Sequence, residues 1–375
     1  MTLKECINNR ITKLQTWLIN NEFGAAVFVD SEEHRDPSVS YLANCSGDCV
    51  LVVPDFGSAM LIPWDEILAK KNAVAGKIVP FTKYKNNAVQ AVKGALKAQK
   101  KNIEFNRICL PNYFTYHEFL DYVEELENWE VVCEKEGAVY FLEECRMEKD
   151  EYELECIKKA CAAGDEIIDE IEERVRDGRI STETDVALYI EKALREKGCQ
   201  RTGFDTLAAG PERSFAIHAF PGYTNAPWPA QGLSILDFGV VYQGYTSDTT
   251  LTIAKGPLTP EQEEQLSLVE TAYNECLKLY RPGELIKNAC AKADSIFAKA
   301  GRKMPHTLGH AIGLEIHEKP RVSTRDEEIT FRAGMVLTLE PGLYDETIGG
   351  TRWENDVLIT DGDPVVLTHS RIIRL

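Results

Sequence analysis

The sequence predicts a small α/β domain followed by a larger α+β domain. Three observations predict it. Short apolar runs alternate with amphipathic helical stretches over roughly the first 140 residues. Beyond them come long helices and two pairs of strands whose ends lie close in sequence. The length, 375 residues of which 44% are hydrophobic, supplies core material for two or three domains.

The elements follow in chain order. Helical spacing covers residues 5–21. The runs AAVFV (25–29), CVLVV (49–53), SAMLI (58–62), RICLP (107–111) and WEVVC (129–133) read as strands, with helical patterns over 87–100 and 114–127. A boundary is expected near 143–150, dividing residues 1–145 from residues 146–375. A charged helix then spans 150–175, with Leu154, Ile157, Cys161, Ile167, Ile168 and Ile171 recurring at helical spacing. Thr182 and Asp185 form a capping box for a helix running to about 197. Thr259, Pro260 and Gln262 start a third helix, expected to end near Arg281-Pro282-Gly283, and a fourth covers 284–300. SILDFG (234–239) and GYTSDTTLTIA (244–254) predict a hairpin turning near Gln243-Gly244. MVLTLEPG (335–342) and RWENDVLIT (352–360) predict a second, with Gly349-Gly350 in the turn region.

Composition excludes several classes. The formal charge of −18 repels phosphate backbones, so nucleic acid is not an expected partner. No apolar run approaches the roughly 20 residues that span a bilayer. The start, MTLKECINNRITKLQTWL, is amphipathic and of mixed charge, unlike a secretory signal. A soluble cytoplasmic protein is the expectation. The eleven cysteines are scattered, and neither Cys45/Cys49 nor Cys156/Cys161 has a second pair at zinc-site spacing. They read as reduced thiols, with a Cys45/Cys49 metal site the weaker reading.

The chemistry lies in acidic residues placed inside apolar strands: Asp237 in Ile-Leu-Asp-Phe, Asp248 in the partner strand, Glu340 in Leu-Thr-Leu-Glu-Pro-Gly, and Glu354 in Trp-Glu-Asn-Asp-Val. A buried carboxylate is costly unless paired or bound to a cation. One such residue reads as a satisfied salt bridge. Four, together with a glycine-flanked histidine, read as a metal site, because a cation relieves their repulsion. The stretch PHTLGHAIGLEIHE holds His306, His310 and His317. His306 and His310 stand four apart, but Thr307 and Leu308 follow His306, so the glutamate of the H-E-x-x-H zinc motif is missing. Gly309 and Gly313 also argue against a helix there. Four carboxylates and one imidazole suit Mn²⁺, Co²⁺, Fe²⁺ or Zn²⁺. They exceed what one ion needs, which predicts two ions and metal-assisted hydrolysis.

These segments resemble a known family. LDFGVVYQGYTSDTT, HTLGHAIGLEIHE, LEPGLY and RWENDV match, in order and context, the five-ligand pattern of the pita-bread metallopeptidases. That family includes methionine aminopeptidase, aminopeptidase P and Xaa-Pro dipeptidase, with creatinase as a metal-free relative. The resemblance implies a pita-bread catalytic domain from about residue 143 onward. The first part resembles the creatinase-like N-terminal domain of the prolidase and aminopeptidase P branch, which methionine aminopeptidases lack. It implies that Asp237 chelates one metal, that Asp248 and Glu354 bridge two, and that His310 and Glu340 complete the second. Glu340 would also carry the proton. His317 matches the histidine that meets substrate near the scissile bond, and His218, in SFAIHAFPGY, one that lies along the substrate pocket. His306 matches the outer histidine of the aminopeptidase P pair and reads equally as a packing residue. Arg321, in HEKPR, matches an arginine that clamps a dipeptide carboxylate in prolidases, set against a solvated loop arginine. Arg352 matches a supporting arginine. His34, His117 and His369 read as surface residues.

The sequence departs from the family pattern at Leu251, where an arginine is usual, at Thr307 and Ala311, where glycines are common, and at Asn355, where an aspartate is frequent. These departures bear on substrate preference and metal affinity. The short run from Glu340 to Glu354 and Arg321 together favour Xaa-Pro dipeptidase over aminopeptidase P. Its substrate would be a peptide with proline after the scissile bond. A homodimer is the family expectation. A non-catalytic binding protein on the same fold is the reading from another class, and the retained ligand set argues against it.

Overall fold

A computed structural model describes residues 1–325 and 328–375. The chain divides into two compact units, Met1–Cys145 and Arg146–Leu375.

The first unit is built on a six-stranded sheet. Its strand order is Lys77–Ile78, Met60–Pro63, Cys49–Pro54, Ala25–Asp30, Arg107–Cys109, Glu130–Val132. The Ala25–Asp30 strand pairs antiparallel with Cys49–Pro54 and parallel with Arg107–Cys109, so the sheet is mixed. Val27, Val50, Val52, Ile62 and Ile108 pack against Val92 and Leu96 of the helix Ala88–Gln99. Leu3–Asn20 is held at its start by a Thr2/Glu5 capping box. Three helices were not legible as patterns: Pro37–Ala43, Glu66–Asn72 and Ala138–Cys145. Each spans about two turns, too few for a 3.6-residue period to show.

The second unit carries the long helices Glu151–Arg176, Glu183–Glu196, Pro260–Leu277 and Ile286–Lys299. The boxes at Thr182/Asp185 and Thr259/Gln262 form as the sequence predicts. The third helix ends at Leu277, short of Arg281. Pro282 disfavours helical backbone at Arg281, and the chain finishes in tight turns that bury Tyr280.

Four sheets follow. One has the order Ile372–Arg374, Thr249–Lys255, Gly232–Phe238, Leu207–Ala209, and another Glu318–Val322, Gly309–Ala311, Val336–Leu339, Asn355–Leu358, Val365–Val366. Tyr245–Thr246, Val240–Tyr242 and Arg201–Thr202 form a third, and Gly342–Asp345 pairs with Gly349–Arg352 in the fourth. Both expected hairpins are therefore divided, and the divisions fall at acidic residues. In the first, Gln243 and Gly244 make a two-residue turn with positive φ, 51° and 86°. The ladder then breaks at Gly239 and at Ser247-Asp248. A Cβ on Gly239 would lie 2.0 Å from the Ser247 carbonyl oxygen, so only glycine allows this crossing. In the second, Val336–Leu339 pairs with Asn355–Leu358, and the chain changes sheets at Glu340-Pro341 and at Glu354. The Glu354 N–H leaves its own hairpin and donates to the Thr250 carbonyl at 3.0 Å.

Candidate metal centre and active site

The breaks turn the acidic side chains into one buried cluster. Asp237 lies near the end of Gly232–Phe238 and pairs with Thr250 on the neighbouring strand. Asp248 lies in the interruption before Thr249–Lys255, and Glu354 just before Asn355–Leu358. His310 is the middle residue of Gly309–Ala311, with a bulge between it and Ala311. Donor atoms of Asp248, His310 and Glu354 all lie within 4.8 Å of one another, and all three residues are buried. Glu340 joins them, its Oε1 3.6 Å from His310 Nε2, while Asp248 Oδ2 lies 3.5 Å from the same nitrogen.

Electrostatics make this arrangement informative. Burial, then the charges of Glu354, Asp237, Asp356 and Glu340, push the Asp248 carboxyl well above the usual carboxylate range. Burial and Glu354 do the same to Glu340. Glu354 is pushed up to about 7, by burial first and then by Asp237. Burial, with His317 next, pushes the His310 imidazole down to about 3, so it is neutral at physiological pH. Its Nδ1 lies 3.3 Å from the Ala311 carbonyl and donates there, which leaves the Nε2 lone pair facing the carboxylates. Oxygen and nitrogen lone pairs thus converge on one small volume. Asp237 Oδ1 is buried with no hydrogen-bond partner among the described residues. Hard oxygen donors, one neutral imidazole and an orphaned carboxylate oxygen fit a divalent cation.

The supporting contacts are equally specific. The Thr250 hydroxyl donates to Glu354 Oε2 at 2.6 Å. The Thr338 hydroxyl accepts the His310 N–H at 3.1 Å and donates to Glu340 Oε1 at 3.3 Å, so one side chain ties two candidate ligands together. Arg352 is fully enclosed. Its guanidinium donates to Asp237 Oδ2 at 2.5 Å, to the Thr250 hydroxyl at 2.9 Å, to Tyr344 Oη at 2.8 Å and to the Ile217 carbonyl at 3.2 Å. A fifth carboxylate, Asp356, is fully buried behind the cluster. It accepts the Asp248 N–H at 3.0 Å and the Cys161 thiol at 3.4 Å.

The remaining histidines divide by exposure. His306 is half-buried. Its Nδ1 sits 2.7 Å from the Thr307 carbonyl and must be the protonated nitrogen, so Nε2 accepts from Tyr344 Oη at 3.0 Å. Burial, then Arg352, lowers its pKa to about 4. Its Nδ1 is 3.8 Å from Glu340 Oε2. His317 is exposed, with its ring centroid 4.4 Å from that of His310. Burial of part of its ring, then Arg321 and His218, lowers its pKa. His218 is exposed and influences both His306 and His317. Arg321 is exposed on the strand beside His310. His34, His117 and His369 are exposed, as expected.

Tyr344, Thr250, Thr338 and Asp356 are neighbours that sequence reasoning missed. Tyr344 lies inside the quoted LEPGLY segment, but nothing local shows that its hydroxyl meets Arg352 and His306. Two of the four departures sit in packing or hydrogen-bonded positions. Leu251 is buried among Ile167, Leu236 and Ile253, in the core rather than the cluster. Asn355 accepts from Ser370 N and the Thr368 hydroxyl and donates to Tyr273 Oη. Among the described residues the cysteines form no disulfide.

Comparison with known proteins agrees with this geometry. The model of metallopeptidase family M24 matches residues 155–361, which span every residue of the cluster. The chain belongs to metallopeptidase family M24. An Xaa-Pro dipeptidase of Pyrococcus horikoshii is 29% identical over 374 residues, covering 98% of each chain. The crystal structure of a prolidase from Pyrococcus horikoshii OT3 superposes with a TM-score of 0.83 at 27% identity, covering 97% of this chain and 99% of the other. An X-Pro aminopeptidase from Thermotoga maritima reaches 0.84 at 24% identity over 98% and 99%, a likeness of fold alone. This M24 metallopeptidase is thus an α/β N-terminal domain followed by a pita-bread catalytic domain. Its family implies a divalent metal, and the Asp248, His310 and Glu354 group fits one. No helix among the described residues is long and apolar enough to cross a membrane.

Proposed function

We propose that this M24 metallopeptidase is an Xaa-Pro dipeptidase that works with two divalent ions, Mn²⁺, Co²⁺, Zn²⁺ or Fe²⁺. The observation that carries the substrate class is the full-length likeness to a relative named Xaa-Pro dipeptidase. Asp237, Asp248, His310, Glu340 and Glu354 would hold the ions. When bound, such ions activate water and polarise the scissile carbonyl.

The chain's own residues do the rest. Glu340 takes the proton from the attacking water and returns it to the leaving proline nitrogen. His317 and His218 face the substrate and donate hydrogen bonds to its carbonyl and termini. His306 stands between Glu340 and Tyr344, where it receives the Tyr344 hydroxyl and steadies the acid. Arg352 keeps Asp237 in place. Arg321 takes the carboxylate of the proline residue, a bidentate task for which a guanidinium is suited.

Aminopeptidase P is the second reading, favoured by His306, which matches the outer histidine of the aminopeptidase P pair and lies 3.8 Å from Glu340. A cytoplasmic homodimer completes the proposal and is checked by sedimentation. The deciding experiment strips the metal, reloads with Mn²⁺ or Co²⁺, and compares an Xaa-Pro dipeptide with an Xaa-Pro-Yaa tripeptide. Faster dipeptide cleavage supports the dipeptidase. Faster tripeptide cleavage makes it an aminopeptidase, and cleavage of neither by a metal-loaded protein removes the proline reading.

A further inference from the structure

The loop that carries His218 leaves the sheet at Gly210, and its two arms, at Gly210 and at Thr224, meet on one buried carboxylate. Glu183, first residue of the Glu183–Glu196 helix, is fully buried. Its Oε1 accepts the Gly210 N–H at 2.8 Å on the outgoing arm. Its Oε2 accepts the Thr224 N–H at 2.7 Å and the Thr224 hydroxyl at 2.6 Å on the returning arm. The returning arm is also stitched to the helix start, by Thr184 N–H to the Thr224 carbonyl at 2.9 Å and Glu183 N–H to the Ala226 carbonyl at 3.0 Å.

Arg213 braces the interior of the same loop. Its Nη1 pairs with Glu183 Oε2, and its Nη2 donates to the Pro221 carbonyl. The guanidinium therefore reaches from a residue before His218 to one after it. A third tie comes from the metal cluster: Arg352, which holds Asp237, also donates to the carbonyl of Ile217, the residue before His218. An exposed imidazole receives little restraint from packing. Its direction is set by the backbone beneath it, and that backbone is fixed at Gly210, Arg213, Ile217, Pro221 and Thr224.

We infer that Glu183 and Arg213 are positioning residues that set the direction in which His218 meets the substrate. The inference rests on the peptidase reading of the site. A carboxylate that merely closed a loop would need only its two arms, whereas this one also carries the arginine that holds the Pro221 carbonyl on the far side of His218 in the chain.

The test is a kinetic cycle on Mn²⁺-loaded protein with leucyl-proline. Arg213→Ala should lower kcat/KM by about 10- to 100-fold, as small misplacements of a substrate-contacting group do. Bound manganese should not change, and Arg213→Lys should recover part of the loss. The double variant Arg213→Ala/His218→Ala should be no slower than His218→Ala alone, because the brace acts through that histidine. Losses that multiply, or wild-type kinetics for Arg213→Ala, overturn the inference. If Arg213→Ala does not fold, Glu183→Gln enters the same cycle. If the wild type cleaves no Xaa-Pro peptide, the function proposal fails separately and amide exchange decides the brace. Faster exchange confined to residues 214–223 in Arg213→Ala supports it, and unchanged exchange there overturns it.

Discussion

Arg321 stands directly opposite His310 across the antiparallel pair of Gly309–Ala311 with Glu318–Val322. Directly opposed residues project from the same face of a sheet. The candidate carboxylate clamp therefore emerges on the same side as the imidazole of the metal cluster, and His317, just before the bulged strand, lies with its ring 4.4 Å from that of His310. Glu318–Val322 is an edge strand, and Arg321 on it is exposed.

Arg321→Ala should raise KM for an Xaa-Pro dipeptide by roughly 10- to 100-fold, the worth of a charge-assisted pair, with a much smaller change in kcat. Arg321→Lys should recover less than half of the binding free energy, because an ammonium cannot make the paired contact. Steady-state kinetics on both variants checks this. Equal effects on dipeptide and tripeptide would remove the clamp.

The crowding around Asp248 predicts a trade of stability for metal. Asp248→Asn removes one of several repelling carboxyls, so the metal-stripped variant should melt at or above the temperature of the stripped wild type. Added Mn²⁺ should raise the melting temperature of the wild type by mass action and leave the variant unmoved. Calorimetry with and without Mn²⁺ reads both effects. A variant that gains as much as wild type from Mn²⁺ would mean that Asp248 is not a ligand.

The metal-stripped protein should weaken as pH rises. The Glu354 carboxyl titrates at about 7 in the fold, against an ordinary value of 4.5. Between those values the folded state binds more protons than the unfolded chain, so stability is full below about pH 4.5 and is lost as pH rises through about 7. Urea midpoints of the stripped protein should fall steadily from about pH 5 to 8, and saturating Mn²⁺ should flatten the trend. A stripped protein whose midpoint holds level would contradict the carboxylate crowding.

Glu318 predicts the opposite slope on the acid side. It is buried between Lys149, whose Nζ donates to it at 3.0 Å, and Arg146, whose Nε lies at 3.6 Å, and it also accepts the Leu314 N–H at 2.9 Å. Burial alone would raise its pKa, but Lys149 and then Arg146 outweigh burial and hold it below 4.5. Its contribution is present above the ordinary value and lost as pH falls through the lowered one. Glu318→Gln should cost about 3–5 kcal/mol at neutral pH, since it strands Lys149 in the interior. The variant should also show a shallower acid transition. Chemical denaturation at pH 7 and pH 4 measures both, and a loss below about 1 kcal/mol would show that the cluster relaxes.

Much of this molecule was legible in the residues themselves. Helices with capping signals, such as Thr182 with Asp185 and Thr259 with Gln262, announce their starts because a cap is a contact between residues three apart. The candidate ligands were visible for a different local reason: Asp237, Asp248, Glu340 and Glu354 interrupt apolar strands where an uncompensated charge would be prohibitive. The sequence by itself therefore determined the kind of site, and Asp248, His310 and Glu354 of its expected donors come together in the fold. What only the tertiary structure decided is how those donors meet. The crossing of Gly239 with Ser247, the jump of Glu354 to Thr250, the Tyr344 hydroxyl between Arg352 and His306, and the Glu183 carboxylate joining two arms of a loop depend on backbones that come together from separate sheets and helices. Periodicity and capping report neighbours within a turn or a strand. Contacts between residues a hundred or more positions apart, such as Thr250 with Glu354, leave no periodic trace and are set by close packing.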